Sequence, residues 1–216
     1  MAKKVAILIS GSGSNMQALV QTAAAADYPA EVVAVISNIP SATGLARAAN
    51  DGIATHVLDH TLFDSREAYD DALHALIMST GAEIVCLAGF MRILTPEFVN
   101  RWTGQMLNIH PSLLPSYRGL HTHRRALADG VTITGCTVHF VVPELDAGPA
   151  IIQAAVPVLS NDDEKALAAR VLAAEHQIYP QALRWLAEGK VSLNSEGRIQ
   201  RNGNAVVDTP SILIVP

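Results

Sequence analysis

Lys4-Val5-Ala6-Ile7-Leu8-Ile9-Ser10-Gly11-Ser12-Gly13-Ser14-Asn15 changes backbone geometry twice within one short stretch. Lys4–Ile9 is an apolar, β-branched run of strand length, Ser10–Ser14 is a Gly/Ser turn, and Asn15–Ala26 has helical composition. Glycines in such a turn let the backbone approach a ligand, and the helix start offers unpaired N–H groups to an anion. Ser12, Ser14 and Asn15 add side-chain donors. A phosphate is the natural guest; a tight turn without a ligand is the plain alternative. The dinucleotide fingerprint would need glycine where Met16 stands and an acidic residue where the second strand ends in Ser37-Asn38. A Gly-Lys-Ser/Thr sequence for a nucleotide triphosphate is also missing from the turn.

Moving outward, strand and helix signals alternate. Glu31–Ile36 reads as a second strand, Gly44–Asn50 as part of a helix closed by Gly52, and Ile53–Leu58 as a short third strand. Asp64-Ser65-Arg66-Glu67 has the form of a capping box, and Tyr69, Leu73, Leu76 and Ile77 share a helical face behind it. Ile84–Ala88 is a fourth strand, Thr95-Pro96-Glu97 opens a helix with Thr as cap, and Gln105–His110 is a fifth strand. The pattern predicts an α/β fold: an open, mostly parallel, Rossmann-like sheet flanked by helices, with ligands at the carboxyl ends of its strands. That brings Gly11–Asn15, Gly89–Leu94 and His110–Pro115 to one edge. Thr132–Val142 and Ala150–Val158 then read as antiparallel additions in the C-terminal half, Asp162–Leu186 as a long helix, and Val191–Ile199 as a hairpin turning at Ser195-Glu196-Gly197. With no repeat or low-complexity linker between the halves, residues 1–216 are expected to form a single domain.

Composition narrows the function classes. Half of the 216 residues are hydrophobic and 16% are charged, which predicts a sizeable core. The apolar runs are of strand length, well short of a spanning helix, and Ser10-Gly11-Ser12-Gly13 cuts short the stretch after Lys3-Lys4 that would otherwise mimic a signal peptide. A soluble, cytoplasmic protein with no membrane partner is expected. A net charge of −5 and a pI near 5.9 speak against a nucleic-acid partner. The cluster His121-Thr122-His123-Arg124-Arg125 suits an anionic small molecule better than a duplex. Cys86 and Cys136 lie singly in apolar runs and read as buried structural thiols.

The chemistry gathers after the fifth strand. Leu107-Asn108-Ile109-His110 alternates apolar and polar, so Asn108 and His110 share one strand face. Pro111 holds His110 extended. An amide and an imidazole side by side suit a carbonyl reaction: Asn donates to a developing oxyanion, and His donates a second bond or relays a proton. No serine or cysteine stands beside them as an obvious nucleophile, so direct attack by a substrate amine fits. A carboxylate near His110 would favour its imidazolium. Asp146 and Glu144, in the turn-rich stretch Glu144–Pro149, are both candidates by spacing.

In order along the chain, Ile9–Asn15, Ala88–Leu94, Asn108–Pro115, Gly119–His123, Val138-His139-Phe140 and Glu144–Pro149 closely resemble the phosphoribosylglycinamide formyltransferase family, over about Lys4 to Gly189. The resemblance implies a formyltransferase-type fold, with residues 1–110 as the phosphate-binding half and 111–216 completing the folate site. It implies transfer of a formyl group from 10-formyltetrahydrofolate, a cosubstrate, to glycinamide ribonucleotide, with no metal. It also selects Asp146 over Glu144, giving Asn108, His110 and Asp146 as the catalytic set. Gly13, Ser14, Asn15 and Glu175 are implied for the nucleotide. Arg66, Met91, Arg92, Ile93, Leu94, Asn108, Val142, Pro143, Glu144, Leu145 and Asp146 are implied for the folate. Leu172 stands where some members carry glutamine, three residues before the ribose-binding glutamate. A monomer or homodimer fits the resemblance equally.

Other readings make different demands. Formyltetrahydrofolate hydrolase carries an N-terminal regulatory domain, for which a first strand at Lys4 leaves no room. Methionyl-tRNA formyltransferase adds a C-terminal domain and a basic surface, against an acidic chain ending at Pro216. A metal hydrolase built on His110, His121, His123, His139 and Asp146 would seat its metal beside Arg124 and Arg125. A silent nucleotide-binding module leaves the polar cluster unexplained.

Overall fold

The computed structural model describes residues 1–202; residues 203–216, the end of the expected single domain, lie outside the described residues. β1 (Lys3–Ile9) sends Val5, Ile7 and Ile9 into one core and Ala6 and Leu8 into another. Coverage on both faces is why the run is continuously apolar rather than alternating. α1 (Ser14–Ala23), β2 (Ala30–Ser37), α2 (Thr43–Asn50), β3 (Thr55–Val57), α3 (Arg66–Ser79), β4 (Ile84–Leu87), α4 (Pro96–Arg101) and β5 (Met106–His110) follow in chain order. The C-terminal half supplies α5 (Thr122–Ala128), β6 (Ile133–Phe140), β7 (Ala150–Pro157), α6 (Glu164–Ala187) and the ribbon β8 (Val191–Leu193) with β9 (Ile199–Arg201).

The main sheet runs in the order β3-β2-β1-β4-β5-β6-β7. Its first five strands are parallel, and β6 and β7 add antiparallel. The mostly parallel sheet with antiparallel C-terminal strands is therefore the architecture expected. Because β2 and β3 lie to one side of β1 and β4 and β5 to the other, the topological switch point falls between β1 and β4. The crevice at their carboxyl ends is bounded by the glycine turn and by residues 89–94.

Met16 and Leu19 of α1 and Leu167, Val171 and Ile178 of α6 fill one core; Tyr69, Leu73 and Ile77 of α3 and Phe98 of α4 fill the other. α6 is also fixed by hydrogen bonds at Tyr179 and Pro180. The Tyr179 hydroxyl reaches the carbonyl oxygens of Leu87 (3.0 Å) and Leu107 (3.2 Å), and the Tyr28 hydroxyl donates to the Pro180 carbonyl (2.6 Å). Pro180 cannot donate to the helix, and its own carbonyl takes this outside donor. No helix among the described residues is long and apolar enough to cross a membrane.

Several boundaries differ from expectation for local reasons. The α3 cap is Ser65, whose Oγ accepts from Ala68 N (3.1 Å), not Asp64; Glu67 is then the second helical residue and the capping box does not form. β3 is shortened to Thr55–Val57 because it is an edge strand that pairs only with β2. The C-terminal ribbon turns on Asn194, whose Oδ1 accepts from Glu196 N (3.0 Å) and Arg198 N (2.9 Å), and its second strand runs on to Arg201.

Candidate active site

The glycine turn is built from backbone. Gly13 caps α1 in the left-handed conformation (φ 69°) and no side chain caps the helix, so its first N–H groups face outward. Gly44 of α2 packs against the turn and donates its N–H to Gly11 O (3.0 Å). A Cβ on Gly44 would lie 3.0 Å from Gly11 O and 3.2 Å from Gly13 Cα, so only glycine allows this approach. One residue into α1, Asn15 Nδ2 donates to Glu175 Oε2 of α6 at 2.6 Å, with both residues buried. Burial raises the Glu175 pKa, and the Asn15 bond partly offsets that rise. Gly13, Ser14, Asn15 and Glu175 thus meet at one end of the sheet. Leu172 is half-buried on α6, three residues before Glu175.

The second cluster is built from side chains on β5 and β6. Leu107 and Ile109 enter the core beneath α6, which leaves Asn108 and His110 together on the opposite face. In the antiparallel register Asn108 faces His139 and His110 faces Thr137. His139 Nδ1 donates to the Phe140 carbonyl (2.8 Å), so its neutral ring presents Nε2 as an acceptor to Asn108 Nδ2 (3.2 Å). Burial holds the His139 pKa below its usual value, against the pull of the Phe140 carbonyl and Asp146. The Asn108 amide is thereby oriented, with a second N–H free of any protein partner among the described residues.

Asp146 comes from the loop after β6, in the left-handed conformation (φ 49°). Oδ2 lies 3.4 Å from His110 Nδ1 and accepts from Gly119 N (2.8 Å); Oδ1 lies 3.9 Å from His139 Nε2. Both carboxylate and imidazole are buried, so their attraction is poorly screened. Glu144, the other candidate carboxylate, is exposed. His110 Nε2 donates to Tyr117 O (2.9 Å), a contact from the 111–121 loop. Thr137 anchors that loop by accepting from Leu114 N (3.1 Å) and donating to Ser112 O (2.7 Å).

Residues 89–95 form a third wall. Arg66 donates to Ile93 O (2.9 Å), Asp70 accepts from Thr95 N (2.6 Å), and the Arg92 guanidinium stacks 4.5 Å over Tyr69. Met91, Ile93 and, across the cleft loop, Leu145 expose their apolar side chains. Leu94 does not, because its side chain enters the α3–α4 core and only its backbone is available. Val142 is half-buried and Pro143 exposed on the same loop as Leu145. Among the described residues no three His, Cys, Asp or Glu side chains group as a metal set. His121, one of the histidines considered for metal, caps α5 in the left-handed conformation. From the sequence His139 is a candidate only as a metal ligand, beyond its place in the Val138-His139-Phe140 resemblance, and Gly44 only the start of a helical stretch; neither is marked there for the role seen in the site.

Residues 3–183 match the model of a family described as formyl transferase. The phosphoribosylglycinamide formyltransferase of Escherichia coli K12 is 50% identical over 190 residues, covering 88% of this chain and 90% of that protein. The bovine trifunctional purine biosynthetic protein adenosine-3 is also 50% identical, over 91% of this chain, but the chain spans only 19% of its length. The crystal structure of glycinamide ribonucleotide transformylase 1 from Symbiobacterium toebii superposes with a TM-score of 0.89 at 42% identity, covering 93% of this chain and 94% of that one.

Proposed function

Because the chain belongs to the formyl transferase family, we propose that it transfers the formyl group of 10-formyltetrahydrofolate to the amine of glycinamide ribonucleotide, in purine biosynthesis. The observation that carries this reading is the buried His110–Asp146 pair, 3.4 Å apart, beside an Asn108 amide already oriented by His139. In support of the substrate, the uncapped start of α1 offers N–H groups for a phosphate, and Glu175 offers its carboxylate to a ribose hydroxyl. In support of the donor, Met91, Ile93 and Leu145 offer apolar contact to a flat ring system, with Arg66 and Arg92 nearby for its acidic tail.

The acceptor amine attacks the formyl carbon, forming an N–C bond as the carbonyl electron pair moves onto oxygen. The free N–H of Asn108 and the Nε2–H of His110 donate to that oxyanion. Asp146 orients His110 through the contact between Oδ2 and Nδ1. A proton passes through water from the new ammonium to the folate nitrogen, whose bond to carbon then breaks. His110 Nε2 is bound to Tyr117 O in the observed arrangement, so the 111–121 loop yields this bond when the oxyanion takes it. His139 touches Asn108 and acts through it as a positioning residue.

We take residues 1–216 as one formyltransferase domain, 1–110 providing the phosphate-binding half and 111–216 completing the folate site; the pairing of β5 with β6 supports the continuity. We propose cytoplasmic action, in keeping with the unpaired, buried Cys86 and Cys136. The test mixes the protein with both substrates. Deformylation of the folate only when the nucleotide is present supports transfer; equal deformylation without it would identify a hydrolase instead.

A further inference from the structure

Ser10 follows β1 at the start of the glycine turn, and two separate segments converge on it. Its backbone N–H donates to Gly89 O (3.1 Å), and its Oγ accepts from Met91 N (2.8 Å). The same hydroxyl donates to Asn38 Oδ1 (2.6 Å), at the end of β2. Asn38 is held in turn, because His60 Nδ1 donates to its backbone carbonyl (3.0 Å). The directions are forced: a hydroxyl has one proton, and with that proton on Asn38 its lone pairs are left for the Met91 N–H. The other ties on residues 89–95, at Arg92, Ile93, Leu94 and Thr95, run to α3 and, from Thr95, to the start of α4. Among the described residues, the hydrogen bonds that tie the segment to the glycine turn are those of Ser10.

We propose that Ser10 is a positioning residue that joins the donor and acceptor pockets, holding the Met91–Leu94 wall in register with the phosphate turn. This inference rests on the assignment of those two walls to folate and nucleotide. Its physical basis is the geometry of the switch point. The two walls are the loops after β1 and β4, neighbouring strands that both end at the crevice. One hydroxyl between them sets the width of that crevice. Met91 and Ile93, with their side chains in solvent, have no core packing to hold their backbone in place. The hydrogen bond at Met91 N therefore fixes where those apolar groups stand.

The test compares wild type, Ser10→Ala and Ser10→Thr. Loss of one such bond is worth a factor of roughly 3–10. In Ser10→Ala the Met91 amide exchanges with deuterium faster by about that factor. KM for the formyl donor and Kd for tetrahydrofolate, measured by calorimetry without acceptor, rise by roughly the same factor. The loss falls mainly in KM rather than kcat, binding of the nucleotide alone is retained, and Ser10→Thr, which keeps the hydroxyl, restores all three readouts. Wild-type Met91 exchange in Ser10→Ala, equal weakening of both substrates, or failure of threonine to rescue would each overturn the inference. Should Ser10→Ala not fold, Ser10→Cys, similar in volume but a weak acceptor, carries the same comparison. Neither amide exchange nor tetrahydrofolate binding requires turnover. A wild type that binds folate but transfers nothing thus removes the proposed reaction while leaving Ser10 to be judged by the other two.

Discussion

The two halves of the cleft are made in different ways. The end proposed for the nucleotide is a backbone device: a left-handed Gly13, an uncapped helix and a glycine on α2 pressed against the turn. The end proposed for the reaction is a side-chain device, with Asn108, His110, His139 and Asp146 brought together from two strands and a loop. A backbone device concentrates its function in binding, because any residue with a Cβ disturbs it and no single side chain carries it. A side-chain device concentrates function in a few atoms acting on the transition state. Substitutions at the two ends should therefore separate into KM and kcat effects.

The largest effect is expected at the reaction end. Removing one oxyanion donor costs roughly 2.7–4 kcal/mol, about 10²–10³ in rate. Asn108→Ala and His110→Ala should each lower kcat by that order while leaving nucleotide affinity within about twofold. Steady-state kinetics paired with nucleotide titration measures both quantities. Near-normal turnover in either variant would refute the mechanism.

At the nucleotide end the expectation reverses. The Cβ of Gly44→Ala would meet Ile9 Cδ1 at 2.6 Å and Gly11 O at 3.0 Å. Ile9 can turn aside, but the carbonyl belongs to the turn itself. The variant should lose about 1–3 kcal/mol of stability and raise the nucleotide KM roughly tenfold, with kcat changed little. Denaturant titration and a KM measurement decide it; a kcat defect without a KM defect would erase the distinction between the two devices.

His139 sharpens the contrast, since it touches no part of the nucleotide turn. With His139→Ala the Asn108 amide loses its acceptor and its fixed orientation, and kcat should fall by roughly tenfold, as one lost hydrogen bond implies. His139→Gln, which retains an acceptor, should recover part of this. An unchanged kcat in His139→Ala would mean that Asn108 is oriented by its strand alone.

The same contrast governs what could be read from the residues. The turn after β1 was legible because every part except Gly44 is contiguous, and Gly44 was hidden inside a stretch of helical composition. Asn108 and His110 were legible as a doublet because strand periodicity puts alternate residues on one face. Asp146 was not separable from Glu144 by spacing, since the choice is made by a left-handed bend at Asp146 itself, and only the family resemblance favoured it. His139 needed the β5–β6 register, in which it stands opposite Asn108; alternation along one strand carries no information about the next. The α3 cap slipped from Asp64 to Ser65 because both are good caps and tertiary packing of Tyr69 and Leu73 sets the helix phase.

The smallest effect joins the two ends through Glu175, which reaches from α6 to the first turn of α1. Burial raises its pKa, so the folded state holds its proton more tightly than the unfolded state does. By linkage, its contribution to stability is most favourable below the unfolded carboxylate value of 4.5 and declines as pH rises through the folded value. Glutamine at this position keeps an oxygen to accept from Asn15 but has no charge to bury. Glu175→Gln should therefore melt a few degrees higher than wild type near neutral pH, with the difference vanishing toward about pH 4. Nucleotide affinity should fall slightly, because a neutral amide accepts a ribose hydroxyl less strongly than a carboxylate. Melting curves across that pH range test the sign. A Tm advantage that grew on acidification would mean that the Asn15 bond, not burial, dominates at Glu175, and that the contact between α1 and α6 is held by charge.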